Sequence, residues 1–344
     1  ERAQRSGDQR TAASAQLIGM FARLYGGEQG EWSEEALQVA QAAIGPLERE
    51  QAHSELATAW RLIVLVHGIA GRYRQADEAI ARSIHHARLA GNERLVARNG
   101  LVLSMNALYG PTPVPEAIAQ CERLIEDGLS DRQVACSVMC ALAQLKAMNG
   151  ELDAARGLYR EARAVLRDLG QGVYAASTGL DIARVELHGG DLELAEREVR
   201  ADYEFLASKG ETYFLSTMAA LLSRLVRDQG RDAEALEFSL AAEKATAEDD
   251  VESQALWRAV RAPIVARDGR IDHARELAHA ALELTRRTEA PSMQADALAE
   301  LAVVLAIAGD APGARQAATE AMALYAAKGN RASAARLASL GLID

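Results

Sequence analysis

The chain has few aromatic residues and a marked deficit of positive charge. Aromatic side chains make up only 4% of its 344 residues, so a folded core must be built mainly from alanine, leucine and valine. The formal net charge is -11 at neutral pH. A protein that grips nucleic acid through phosphate contacts needs a basic face, so we expect no direct nucleic-acid partner.

Long apolar runs and abundant cysteine are missing as well. No apolar stretch approaches the length of about 18 residues that a membrane-spanning helix needs, and the first residues do not resemble a signal peptide. The three cysteines, Cys121, Cys136 and Cys140, are too few and sparse for a disulfide framework and favour a reducing compartment. We therefore expect a cytoplasmic protein without a membrane partner. Because no methionine opens the chain, we interpret it as a fragment or a processed form.

Motifs of catalysis, metal binding and phosphate binding are also lacking. The sequence contains no Gly-x-x-x-x-Gly-Lys-Ser/Thr loop, no His-Glu-x-x-His pair and no Gly-x-Ser-x-Gly elbow. Cys136 and Cys140 lie four residues apart on a predicted helix without further ligands nearby, which favours buried thiols over a metal site. We expect no catalytic residue, no metal, no cofactor and no enzymatic activity of the chain itself.

A regular ladder of glycines runs through the sequence. Consecutive members are separated by 39 to 41 residues, and several are followed five residues later by alanine, as in Gly150-Glu151-Leu152-Asp153-Ala154-Ala155. A fixed period of this length indicates a repeat protein. The glycines of the ladder are Gly30, Gly71, Gly110, Gly150, Gly190, Gly230, Gly269 and Gly309.

Each repeat is predicted to be a pair of helices with the glycine at the turn between them. Glycine adopts a left-handed conformation cheaply and so ends a helix, and the later alanine lets two helices approach closely. The fold class expected is all-α, a right-handed α-solenoid superhelix of about eight tetratricopeptide-like helix pairs and a C-terminal capping helix. The repeats are predicted at 9–48, 49–91, 92–129, 130–170, 171–210, 211–249, 250–289 and 290–328, with the cap at 329–344.

Individual helices can be expected at the clearest repeats. In the first repeat the second helix is predicted over 33–45, closed by Gly45-Pro46. The central helices are predicted near 130–149, 152–168, 171–188, 192–208, 211–229 and 232–247.

Three stretches go beyond the generic repeat and carry a family resemblance. They are residues 110–121, which begin Gly110-Pro111-Thr112-Pro113-Val114-Pro115, residues 249–261, which begin Asp249-Asp250-Val251-Glu252-Ser253-Gln254-Ala255-Leu256-Trp257, and residues 323–330, Ala323-Leu324-Tyr325-Ala326-Ala327-Lys328-Gly329-Asn330. Together they resemble the C-terminal tetratricopeptide region of bacterial class III adenylate/guanylate cyclase–ATPase fusion proteins. The architecture is also similar to the superhelical sensor domain of maltose-activator-type ATP-binding transcription regulators.

The resemblance implies a regulatory arm rather than a catalyst, because none of the cyclase or ATPase residues occurs in this chain. It implies intramolecular contact with upstream ATPase and cyclase domains. It also implies that the arm binds a protein, a peptide or a small anionic effector in a concave groove. A structural oligomerisation arm is the remaining alternative.

The repeat register singles out one column of polar side chains. The residues six positions before the glycines of the central repeats are Gln144, Arg184 and Arg224, and this position faces the groove in tetratricopeptide helix pairs. Arg61 and Arg227 occupy other positions that tend to face it. Arginine suits a bidentate grip on carboxylate or phosphate. These five residues are the predicted ligand-binding set. The alternative is that the arginines pair with acidic residues of neighbouring repeats and stiffen the superhelix.

Overall fold

The computed structural model describes residues 9–25, 32–129, 131–248 and 250–343, and these residues are all-helical, with no strand among them. The prediction of an all-α chain is confirmed. The helices are α1 (Gln9–Tyr25), α2 (Trp32–Arg49), α3 (His53–Ile69), α4 (Tyr73–Leu89), α5 (Glu93–Tyr109), α6 (Val114–Glu126), α7 (Arg132–Met148), α8 (Leu152–Asp168), α9 (Gly172–Ser177), α10 (Gly179–Glu186), α11 (Leu192–Ser208), α12 (Leu215–Asp228), α13 (Asp232–Ala245), α14 (Val251–Arg267), α15 (Ile271–Arg286), α16 (Pro291–Ile307), α17 (Ala311–Lys328) and α18 (Arg331–Ala338).

The helices belong to two compact units. The first comprises the described residues up to Asn106 together with Gly128–Val134, and the second comprises Ala107–Asp127 and the described residues from Ala135 onward. The eight repeat boundaries drawn from the sequence remain a prediction, because the structure divides the chain by compactness and not by repeat.

Alanine builds much of the core in both units, as the low aromatic content led us to expect. In the first unit Ala36 and Ala40 are fully buried beside Leu17 and Leu56. In the second unit a larger cluster places Trp257 among closely packed alanines. Small side chains at these positions let the helix axes approach one another, which is what repeated helix pairs need.

Glycine ends helix α7 in the way that the repeat pattern predicts. Gly150 has a φ of 93°, its amide donates to the Ala147 carbonyl, and the next amide donates to the Lys146 carbonyl at 2.8 Å. This is the paired hydrogen bonding of a left-handed helix cap. At the following turn the left-handed residue is Gly189, with φ 111°, and not Gly190 of the ladder. A Cβ at Gly190 would lie 1.7 Å from a carboxylate oxygen of Glu186. Only glycine therefore fits at position 190 while the Glu186 side chain keeps its place.

Two predicted helix boundaries are wrong. The helix expected to close at Gly45-Pro46 continues to Arg49 with Pro46 inside it, because Leu47 in the last turn is fully buried. The helix expected over 171–188 is interrupted at Thr178 between α9 and α10, where the Thr178 hydroxyl donates to the Ala175 carbonyl. Of the glycine ladder, Gly30 lies outside the described residues, as does the end of the predicted cap at Asp344.

Lys328 connects the first segment of the second unit, residues 107–112, to the end of α17. Lys328, at the end of α17, is completely buried, and its Nζ donates hydrogen bonds to the carbonyls of Ala107, Gly110 and Thr112, each at 2.7 Å. Burial lowers the pKa of Lys328 to about 7, whereas three carbonyl acceptors favour the ammonium form, which alone carries three donors. The proline-rich turn singled out in the sequence therefore supplies two of the three acceptors that hold the end of α17 in place, and α5 supplies the third.

Within the described part of the chain, no helix is both long and apolar enough to cross a bilayer.

Candidate functional site

A cavity of about 120 Å³ lies inside the second unit. A buried water molecule needs roughly 10–15 Å³ by this measure, so the space holds on the order of ten waters. The walls come mainly from α7, α10, α12, α14 and α16, with further residues from the end of α5, from Thr285 of α15 and from α18 at the C-terminus.

The cavity brings together the three residues that the repeat register aligned. Gln144 on α7, Arg184 on α10 and Arg224 on α12 all line it. The side-chain amide of Gln144 donates to the Asp181 carboxylate at 2.7 Å. Arg184 donates to Glu252 and its guanidinium lies 5.9 Å from the ring centre of Tyr109. Two members of the predicted column are therefore held by neighbouring side chains.

Arg224 differs from the other two. It is only 8% exposed, its Nε is buried without a hydrogen-bond partner, and its nearest carboxylate, Asp296, lies 3.9 Å from Nη2. That separation is beyond hydrogen-bond distance. Burial opposes the charge on this guanidinium, and the carboxylates of Asp296, Glu300 and Asp228 outweigh it and raise the pKa of Arg224. The residue stays charged, with no hydrogen bond to any residue that the structure describes.

Arg227 and Arg61 do not line the cavity. Unlike Arg224, Arg227 is fully paired. Its two terminal nitrogens each donate to one oxygen of Glu300 at 2.8 Å, and it also donates to Asp228. This is a bidentate, buried ion pair. Arg61 belongs to the first unit and donates to the Asn99 side chain at 2.8 Å.

Two residues that the sequence analysis did not single out add charge and titratable chemistry to the cavity. Arg336 on α18 lines it, and the proximity of Arg224 together with burial lowers the pKa of Arg336. Its own carboxylate partner is Asp228 at 3.3 Å. His188 also lines the wall, and burial lowers its pKa to about 4, so the ring is neutral at pH 7. Its Nδ1 lies 3.4 Å from the Ser333 hydroxyl.

The rest of the lining is largely apolar. Leucine and methionine side chains from five helices cover most of the wall: Leu108, Met148, Leu187, Leu221, Leu256 and Met293. An apolar pocket with a few converging polar groups is the usual form of a small-molecule site. The arrangement can bind an anion that carries an apolar body. In the described ranges, no group of three or more histidine, cysteine or acidic side chains is placed to hold a metal ion.

The three cysteines are buried. Burial raises the pKa of Cys121 to about 12 and raises that of Cys140 well above its ordinary value. Both thiols are therefore protonated and unreactive at neutral pH.

Comparison with known proteins identifies the fold. No protein-family model matches the chain, and no curated protein matches it. Among solved structures, the chain is similar to NprR in complex with its cognate peptide NprX, with a TM-score of 0.54 and 15% identity over 80% of this chain and 82% of that one. It is similar to a Rap protein complexed with competence and sporulation factor, with a TM-score of 0.53 and 10% identity over 97% and 98%.

A third similar structure is the signal-transduction ATPase with numerous domains and a tetratricopeptide-repeat sensor from Pyrococcus horikoshii. Its TM-score is 0.51 with 12% identity, covering 92% of this chain and 51% of that chain, so the chain spans about half of that protein's length. The predicted class of tetratricopeptide-like helix pairs in an α-solenoid is confirmed. At these identities the likeness concerns the fold.

Proposed function

We propose that this chain is a non-catalytic sensor arm that binds a carboxylate-bearing peptide or small effector in the cavity of its second unit. The observation that carries the proposal is Arg224, a buried cation that faces a cavity with its hydrogen-bond donors unused. An unsatisfied buried polar group costs roughly 1–3 kcal/mol, and more when charged. A bound anion would remove that cost and so couple occupancy to the stability of the surrounding helices.

Three further facts support this role. The chain lacks catalytic motifs, its cavity is walled by successive repeats, and two proteins of the same fold are known in complexes, one with its cognate peptide and one with competence and sporulation factor. The resemblance to cyclase–ATPase fusion proteins extends the proposal to the parent protein. We propose that the arm belongs to a larger bacterial signalling protein in the cytoplasm and contacts its upstream ATPase and cyclase domains. Ligand binding to the arm would then change the activity of those domains.

The set of ligand-binding residues in this proposal follows from the contacts. Arg224 binds the anion directly, while Gln144 and Arg184 shape the wall through their bonds to Asp181 and Glu252. Arg227 is paired with Glu300 behind the wall and does not contact the ligand in this proposal. Arg61 stabilises the first unit and has no part in this cavity.

Three defined pools test the proposal on the full chain: random tetrapeptides with free C-termini, the same peptides amidated, and straight-chain monocarboxylates of four to ten carbons. We expect at least one carboxylate pool to raise the thermal midpoint by about 5 °C near saturation. Arg224→Met should abolish the shift, and Arg197→Met, an exposed arginine on α11, should retain it. If no pool shifts the wild-type midpoint, or if Arg224→Met responds like the wild type, the proposal is wrong.

A further inference from the structure

The ligand's charge follows from the groups that line the cavity and from those behind them. Three arginines line it, Arg184, Arg224 and Arg336, against two carboxylates, Glu252 and Asp296, while His188 is neutral at pH 7. The wall residues alone therefore carry one surplus positive charge. Behind the wall, Arg227, Asp228 and Glu300 engage one another, and Asp228 also engages Arg336, so these three groups with their net charge of -1 offset that surplus. The unused donors of Arg224, and not an excess of charge, therefore favour an anion, and a dianion would place a second negative charge close to Asp296 and Glu252.

The ligand's polarity follows from the remaining polar groups, which are already engaged. Gln144 donates to Asp181, and Asn330 accepts from the Ser333 amide and donates to Ser292. A peptide placed here would bury backbone N–H and C=O groups with few partners, at a cost of roughly 1–3 kcal/mol for each group left unsatisfied. A hydrocarbon body makes no such demand and gains by contact with Leu221, Leu256 and Met293.

The ligand's size follows from the cavity. Space for roughly ten waters in about 120 Å³ accommodates a body of about ten non-hydrogen atoms. Resting on the proposed function, we propose that the cavity binds a small apolar monocarboxylic acid of six to ten carbons. Its carboxylate accepts two hydrogen bonds from Arg224, with Arg336 beside it, and its hydrocarbon chain lies against the leucine and methionine wall.

Isothermal titration calorimetry of the full chain with octanoate tests this ligand class, with 1-octanol, octanamide and octyl phosphate as comparison ligands. We expect octanoate to bind 10–100-fold more tightly than octanol and octanamide, because a charge-assisted hydrogen bond contributes roughly that factor. It should also bind more tightly than the dianionic phosphate. Arg224→Met should weaken octanoate binding by about 100-fold and leave octanol binding unchanged, and Arg197→Met should change neither.

Three results would overturn the inference. Equal affinity for octanoate and octanol would mean that Arg224 does not bind the carboxylate. Binding of tetrapeptides with free C-termini but not of octanoate would replace the apolar acid with a peptide and leave the proposed function standing. If neither octanoate nor any of the three pools binds, the proposed function fails together with this inference.

Discussion

The two units use arginine in opposite ways. In the first unit the partly buried Arg61 donates to Asn99, Asn99 donates to Ser83, and Ser83 donates to the Ala57 carbonyl, each at 2.8 Å. That chain gives the buried Asn99 and Ser83 side chains partners. In the second unit Arg224 is buried, and its guanidinium has no hydrogen bond among the described residues.

This difference separates a structural role from a binding role. A satisfied network fixes the packing of adjacent helices and offers nothing to a ligand. Nearby carboxylates attract Arg224, but its unsatisfied hydrogen-bond donors carry a cost, and such costs tend to persist at functional positions. Arg227 sharpens the contrast, because it lies three residues from Arg224 on α12 and is held by both oxygens of Glu300.

The largest expected effect concerns the lysine that joins the ends of the second unit. Lys328→Met leaves the carbonyls of Ala107, Gly110 and Thr112 buried without a donor. Each costs roughly 1–3 kcal/mol, so we expect the free energy of unfolding to fall by about 4–6 kcal/mol. In a background with Trp32→Phe and Trp60→Phe, denaturant titration followed through Trp257 reports on the second unit.

The control for this variant is Lys244→Met, which removes an exposed lysine of α13 and should change stability by less than about 0.5 kcal/mol. Equal stability of both variants would show that the lysine does not hold the unit closed.

Arg227→Met should be the next most damaging change. It leaves the buried Glu300 carboxylate unpaired, and breaking one side of a buried pair costs about 3–5 kcal/mol. The double variant Arg227→Met/Glu300→Met should recover part of that loss, because no charge then stays unpaired between them. A double variant that is less stable than the single one would contradict the assignment of the pair.

His188 should make the second unit sensitive to acid. Its folded-state pKa of about 4 lies below the ordinary 6.5, so between these values the unfolded chain binds more protons and stability falls as the pH is lowered. The full contribution is about 3 kcal/mol. His188→Gln should therefore show a shallower loss of unfolding free energy between pH 6.5 and 4, measured by urea titration. Parallel pH profiles for both proteins would argue against a buried neutral ring.

The smallest decrease in the free energy of unfolding is expected for a variant of the first unit. Asn99→Ala removes the acceptor of Arg61 and the donor to Ser83, which should lower stability by about 2 kcal/mol. Gln75→Ala, at an exposed position of α4, serves as the control. Because Arg61 supports packing in this account, Asn99→Ala should leave octanoate binding by the second unit unchanged.

Much of this picture could be predicted from the sequence, because it depends on local periodicity. The glycine ladder located most helix pairs, and α8 and α11 begin and end where they were expected. Counting six residues back from each glycine found Gln144, Arg184 and Arg224, since equivalent positions of stacked repeats face the same way.

The rest depends on contacts between residues far apart in the chain, which periodicity does not encode. Arg227 and Glu300 are 73 positions apart, and Lys328 lies 216 to 221 positions from its acceptors. Arg336 belongs to α18, outside the repeat register, so counting from the repeat glycines could not identify it. Which arginine is satisfied and which is left for a ligand could be learned only from the folded structure.

The unfolding free energy of Arg224→Met without any ligand tests the central claim most directly. If Arg224 is held for a ligand, replacing it with an apolar side chain of similar length removes its attraction to Asp296, Glu300 and Asp228 together with its unsatisfied hydrogen-bond donors, and these two effects oppose each other. The variant should then differ from the wild type in stability by less than about 1 kcal/mol. A loss of 2 kcal/mol or more, comparable to that of Arg227→Met, would show that Arg224 is a structural residue and would contradict the account.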